Sequence, residues 1–229
     1  MEPATLWFKS CPLCIPAVES TEVVNIDEHD ELAIISVSTD NLHFHPSLVQ
    51  QTTLPPGGRL SLSIVFLPRL IGEVDGTLVV NTSVGSFLYH VKAEGVANSY
   101  NVLPFLSAKV PVGTSYTPTI NVYNPHDSIL HVKEVYTSEG FLHLNLPQGA
   151  GEDPAGGTTK LWQVQPKEHK GVIDVAFASD TPGKYQGYVH LKTDFDTMII
   201  PFEISVFKSG LHRSSDVRPP PPPLAVLPP

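Results

Sequence analysis

The residues best able to do chemistry fall in short, separated groups. Cys11 and Cys14 form Cys-Pro-Leu-Cys. A structural zinc takes four N or S ligands, and no second cysteine pair exists to complete such a set. A redox dithiol sits at the start of a helix, whereas Ile15-Pro16 and a β-branched run follow here. Both residues therefore read as ordinary thiols near a strand end. His43 and His45 flank Phe44 at strand spacing and share one face, with His29 the third histidine that folding could bring near. No HExxH or comparable ligand spacing supports them, so no metal or other cofactor is expected. Ser, His and Asp are plentiful, but there is no Gly-x-Ser-x-Gly elbow and no carboxylate pair stands out. Gly72 to Gly76 and Gly183 to Gly187 lead into strands rather than helices. That suits a turn, bulge or close backbone approach, not a phosphate cradle. No catalytic residue is assigned, and no enzyme is expected. Asn81-Thr82-Ser83 is the one Asn-x-Ser/Thr acceptor whose middle residue is not Pro, and it reads as an exposed strand end before Val84-Gly85, a place for a glycan.

The elements that must position these groups read as strands throughout. Leu60, Leu62, Ile64 and Phe66 alternate with Ser61, Ser63 and Val65, the period of a half-buried strand. Similar runs include Thr21–Ile26, Leu32–Ser38, Thr77–Val80, Phe87–Lys92, Thr119–Tyr123, Phe141–Leu146 and Met198–Val206. Turn clusters such as Pro55-Pro56-Gly57-Gly58 and Asn124-Pro125-His126-Asp127 separate them. No capped apolar period of 3.6 residues runs over ten residues. Many short strands at this spacing predict an all-β sandwich or barrel.

An internal repeat gives the organisation. Leu6-Trp7-Phe8 pairs with Leu103-Pro104-Phe105, His29-Asp30 with His126-Asp127, and Leu42-His43-Phe44 with Leu142-His143-Leu144, about 97 to 100 residues apart. Pro56, Phe66, Gly72 and Gly76 match Pro166, Phe177, Gly183 and Gly187, after an extra Gly-rich loop from Gly149 to Lys160 in the second copy. A repeat of that size is one immunoglobulin-like sandwich. The expected layout is therefore a first sandwich over 5–96, a second over 98–207 and a disordered Pro-rich tail over 208–229.

Charge narrows the partners. The chain carries 14 Lys and Arg against 23 Asp and Glu, which disfavours a phosphate backbone, so nucleic acid is not an expected ligand. No apolar run approaches a membrane span, and Glu2-Pro3 follows Met1 where a signal peptide would be basic and then apolar. The tail, Arg218 followed by Pro219 to Pro223 and Leu224, is a polyproline II segment that either docks in an aromatic groove or remains a disordered end.

This strand order, with Val65-Phe66-Leu67-Pro68 and Val110-Pro111-Val112-Gly113, resembles the PapD-like domains, and more closely the N-terminal lumenal region of the transmembrane protein 131 family. The residues that carry the likeness are Leu54-Pro55-Pro56-Gly57-Gly58, Arg69, Asn81-Thr82-Ser83, Pro104-Phe105-Leu106, Ile120-Asn121, Asn124-Pro125-His126, Lys160-Leu161-Trp162 and Lys170-Gly171-Val172. The resemblance implies two tandem PapD-like sandwiches on the lumenal side of the endoplasmic reticulum membrane. It also implies a cargo-binding role toward procollagen chains or another secretory client, and a fragment or short form of a longer membrane-anchored protein. Cys14 stands where the second copy has Gly113, so the first corner is expected to be built differently.

In such a fold the remaining candidate site is backbone: an unpaired edge strand that accepts an extended client segment by β-augmentation. Pro201 within Met198–Val206 marks that strand as an edge or bulged one, and Pro118 precedes Thr119–Tyr123. Which edge binds, and through which residues, stays open at this level. The alternative is a cytosolic scaffold of the same fold that reads short peptide motifs; it calls for clustered Lys and Arg on one strand face, whereas the basic residues here are scattered. Lumenal residence has a direct readout: the chain expressed with a signal peptide should show a mobility shift that peptide N-glycosidase removes and that Asn81→Gln lacks.

Overall fold

The computed structural model describes residues 1–49, 52–147 and 162–208. Every regular element among them is a strand. The first sandwich packs a five-stranded sheet, ordered β1 (Thr5–Pro12), β8 (Gly85–Val96), β7 (Gly72–Thr82), β3 (Leu32–Ser38) and β5 (Thr52–Leu54), on a three-stranded sheet of β2 (Ala17–Val24), β6 (Arg59–Phe66) and β4 (Phe44–Pro46). The second repeats it. Its larger sheet runs β14 (Gln163–Val164), β12 (Leu130–Thr137), β16 (Gly183–Thr193), β17 (Thr197–Phe207) and β9 (Phe105–Pro111). Its smaller sheet centres on β15 (His169–Ala178), flanked by β10 (Ser115–Tyr116), β11 (Thr119–Tyr123) and β13 (His143–Asn145). In each copy the first strand pairs parallel with the last, and all other pairs are antiparallel.

Alternation drives both layers inward. Leu62, Ile64, Phe66, Leu78 and Val91 are buried in the first sandwich; Ile173, Val175, Phe177, Val189 and Phe202 hold the matching places in the second. Two glycines let the layers meet. A Cβ on Gly76 would stand 2.6 Å from the Phe44 ring, and one on its counterpart Gly187 2.6 Å from Glu139, with Leu142 at 3.2 Å.

Register corrects several sequence pairings. Leu6 and Phe105 take equivalent places opposite Val91 and Phe202, so Leu6 does not match Leu103. Phe44-His45-Pro46, not Leu42-His43-Phe44, corresponds to Leu142-His143-Leu144. The run expected over Thr21–Ile26 is β2, which ends at Val24 because Asn25 turns the chain. Met1 packs on the first core and Glu2 bridges to Glu22, so the first sandwich starts before residue 5. The loop Gly149 to Lys160 and the Pro-rich tail lie outside the described residues.

The His29/His126 pairing also gives way, to a buried asparagine in each copy. Asn25 Nδ2 donates to the carbonyls of Asp30, Leu54 and Pro55 at 2.9, 3.1 and 3.2 Å, and its Oδ1 accepts the Asp27 N–H at 3.1 Å. Asn124 Nδ2 donates to the carbonyls of Ser128 and Val164 at 2.8 and 2.9 Å, and its Oδ1 accepts the His126 N–H at 2.9 Å. Each side chain ties the corner after β2 or β11 to the strand before the Pro-Gly or Pro-Lys turn. Asn124 is fully buried, so its removal leaves the buried Val164 carbonyl unpaired and takes the partner from the part-buried Ser128 carbonyl and His126 N–H. Asn124→Ala should lower the unfolding free energy in urea by about 2–4 kcal/mol, against under about 0.5 kcal/mol for the exposed Asn121→Ala.

Candidate functional site

The smaller sheets leave two comparable edges, β2 and β11, and their unpaired groups can be counted. β2 pairs with β6 without a break from Ala17 to Val24. On its other side the Glu22 N–H donates to the Glu2 carbonyl and the Glu2 N–H to the Glu22 carbonyl, both at 3.0 Å. Backbone groups alternate in direction along a strand, so Val18 and Ser20 also point their N–H and C=O away from β6. These positions form the open edge; the side chains of Val18, Glu19 and Ser20 are exposed beside them.

β11 is capped at two positions, Thr119, the counterpart of Ser20, and Tyr123, the counterpart of Val24. Its Tyr123 N–H donates to the Tyr100 carbonyl at 2.8 Å, and the Asn121 side chain donates to the Thr119 carbonyl at 3.2 Å. Thr119 Oγ1 also donates to the Asp174 carboxylate. The sequence left the edge undecided because these caps come from side chains and from residues far along the chain.

The second feature is the joint between sandwiches. Leu13, Cys14 and Ile15 at the β1–β2 corner pack into the core of the second sandwich. The Ile199 N–H donates to the Cys14 carbonyl at 2.7 Å, and Asn98 Nδ2 donates to the Leu13 carbonyl at 2.7 Å. Beside them the Arg69 guanidinium, 5% exposed, pairs with the Glu203 carboxylate. Asn41, Leu42, His43, Leu70 and Leu106 line a cleft of about 450 Å³ around that pair.

Histidine chemistry there follows from burial. His43 Nδ1 accepts the Arg69 backbone N–H at 3.3 Å, and burial, then the Arg69 charge and His45, bring its pKa down to about 4. Burial and Arg69 likewise lower His45, whose ring meets Tyr188 edge-on with centroids 6.3 Å apart and whose buried Nε2 has no protein partner. Burial first, and the neighbouring Arg69 cation second, favour the neutral form of both rings. His29 sits on the exposed corner instead, its N–H donating to Asp27 Oδ1 at 2.8 Å. Among the described residues no three His, Cys, Asp or Glu side chains converge.

The other singled-out residues find these places. Cys11 and Cys14 are free, buried thiols; burial pushes Cys14 up to about 12 and raises Cys11, so neither is a thiolate. The Cys14 corner matches that of Gly113, contrary to expectation. Both residues are left-handed, φ 62° and 74°, and their N–H groups donate to the Pro68 and Ser179 carbonyls. Asn81 lies at the end of β7, as expected, but is half-buried rather than exposed. Its Nδ2 donates to Ser36 Oγ and its Oδ1 accepts from Ser86 Oγ. Pro201 stands in β17, the interior strand between β16 and β9, not at an edge. It is tolerated because β9 joins only at Phe202, beside a register shift. Arg69–Glu203 and the paired asparagines were missed; Val-x-Asn at Val23–Asn25 and Val122–Asn124 was the available signal.

The chain matches two family profiles, "Transmembrane protein 131-like N-terminal" over residues 1–82 and "Transmembrane protein 131 second Ig-like domain" over 99–192. It is 38% identical to mouse Transmembrane protein 131 over 94% of its own length and 12% of that protein. It is 31% identical to the Drosophila melanogaster Transmembrane protein 131 homolog over 88% of its length and 13% of the relative. The chain thus spans about an eighth of these relatives. Among solved structures, the ASH / PapD-like domain 7 of human CEP192 aligns with 42% of the chain and 82% of that domain at 13% identity and TM-score 0.36. WR4, a C. elegans MSP family member, aligns with 42% of the chain and 94% of its own at 14% and 0.31.

The joint should be pH-sensitive in one direction. His43 binds a proton less readily folded than unfolded, where a histidine titrates near pH ~6.5. Its contribution is therefore complete above that value and is lost as the pH falls toward 4. The melting temperature should drop across that window, and His43→Gln should flatten the drop.

Proposed function

Because this chain belongs to the transmembrane protein 131 family, we propose that it is a non-enzymatic protein-binding module that captures an extended segment of a secretory client along the edge of β2. Family and fold are those of immunoglobulin-like and PapD-like interaction domains. The observation that carries the edge is the contrast between β2, open at Val18 and Ser20, and β11, capped by Tyr100 and Asn121.

An added strand gains main-chain hydrogen bonds at alternate residues, and the exposed side chains beside the edge select what it carries. Val18 offers an apolar contact, while Glu19 favours basic residues in the client. The family resemblance points to procollagen chains as that client and to the lumenal side of the endoplasmic reticulum membrane as the place. No helix among the described residues is long and apolar enough to cross a bilayer.

Ser20→Pro removes an edge donor and keeps every backbone hydrogen bond of the β2–β6 ladder, losing across it only the exposed Ser20–Ser63 hydroxyl contact at 3.2 Å. It should weaken binding to immobilised procollagen chains at least about tenfold at unchanged melting temperature. Asn121→Pro on the capped edge should bind like the parent. Val18→Asp, which keeps every backbone donor, should weaken capture by removing the apolar contact beside the edge. Normal binding by a folded Ser20→Pro chain would move the site off β2, and a parent chain that binds no procollagen would remove the client.

A further inference from the structure

The joint occurs once within the chain, yet the repeat supplies its two halves twice. We propose that the outer face of the first sandwich receives the distal corner of the second sandwich of another copy of this chain, so that copies associate head to tail.

Register defines the equivalent positions. Gly76 faces Val91 as Gly187 faces Phe202, which makes Leu88 the counterpart of Ile199 and Lys92 that of Glu203. Cys14 donates to Pro68 as Gly113 donates to Ser179, which makes Arg69 the counterpart of Asp180. Within the chain the corner at Cys14 sits on Ile199, and Arg69 pairs with Glu203. In the unused halves the charges are exchanged: the corner at Gly113 carries Asp180, and the face at Leu88 carries Lys92. Docking in the same geometry therefore restores an ion pair of opposite polarity rather than two like charges.

Backbone and apolar surface agree with this seat. Ile199 is free to donate to the corner because β9 joins β17 only at Phe202. Leu88 lies equally beyond reach of β1, which joins β8 only at His90. Leu88 is 67% exposed, and Trp7, opposite Lys92 in the parallel register, is 68% exposed. Thr77, His90 and Lys92 border an open cleft of about 500 Å³ on this face. Gly113 and Asp180 are exposed, and Gly113 has the left-handed backbone that lets the corner project its carbonyl. Lys92 already touches Asp75 at 3.3 Å, but both side chains are about half or more exposed, so it can be shared.

The contact joins two different patches, so it does not close on itself and adds copies in a line. It forms without a covalent link and has a charged rim, so it should be weak and sensitive to salt. It is independent of client capture at β2.

Sedimentation velocity on the full 229-residue chain tests it. The mean mass should rise with concentration and fall when salt is added. Lys92→Glu and Asp180→Lys should each weaken association about tenfold, and the two together should recover most of the loss, with melting temperatures unchanged. A parent chain that stays monomeric over the whole series overturns the proposal. So does a double variant no better than the single ones.

Discussion

Cys14 adopts a backbone conformation that costs an L-residue roughly 1–2 kcal/mol, and the way the two sandwiches meet depends on it. The left-handed turn aims the Cys14 carbonyl at the Ile199 N–H and drops Leu13 into the second core. Burying one leucine is worth about 1.5–3 kcal/mol, which offsets the strain. A glycine there would relieve the strain and lose the side chain that the second core packs against. The chain has that glycine at position 113, where the corner faces solvent.

Around this corner, polar groups fix orientation more than they add stability. Arg69 is nearly buried, and a buried ion pair repays its desolvation only when geometry and further hydrogen bonds are good. Its main effect is to specify one arrangement, since sliding the sandwiches would leave a guanidinium unpaired. Burial, with the same charge second, lowers the pKa of His43 and His45 and favours their neutral forms.

The two copies share a framework and differ where partners can reach them. Each has a buried asparagine that closes the corner and a glycine that seats the opposite layer. The edges diverge. Beside β2, residue 2 makes its backbone hydrogen bonds with Glu22 and Thr21, leaving Val18 and Ser20 open, whereas Tyr100 and Asn121 cap β11. The outer faces diverge as well, one covered by the neighbouring sandwich and the other bare at Leu88 and Trp7. Duplication supplied matching surfaces, and small changes decided which of them stay open.

Alternation in Leu60–Phe66, the turn residues and the repeat were enough by themselves to determine an all-β chain of immunoglobulin-like units. Side-chain period and turn chemistry are local properties that survive in a single sequence. The candidate thiols and histidines could be read as ordinary for the same reason, because their spacing lacked any ligand pattern. Tertiary structure alone decided the register of the repeat, the place of Pro201 inside a sheet, the half-buried setting of Asn81 and the choice between edges. Each of those depends on residues brought together from far apart: Glu2 with Glu22, Tyr100 with Tyr123, Arg69 with Glu203. A strand looks the same in sequence whether its second edge is paired, capped or open. The difference lies in a few hydrogen bonds that only the packed chain can place.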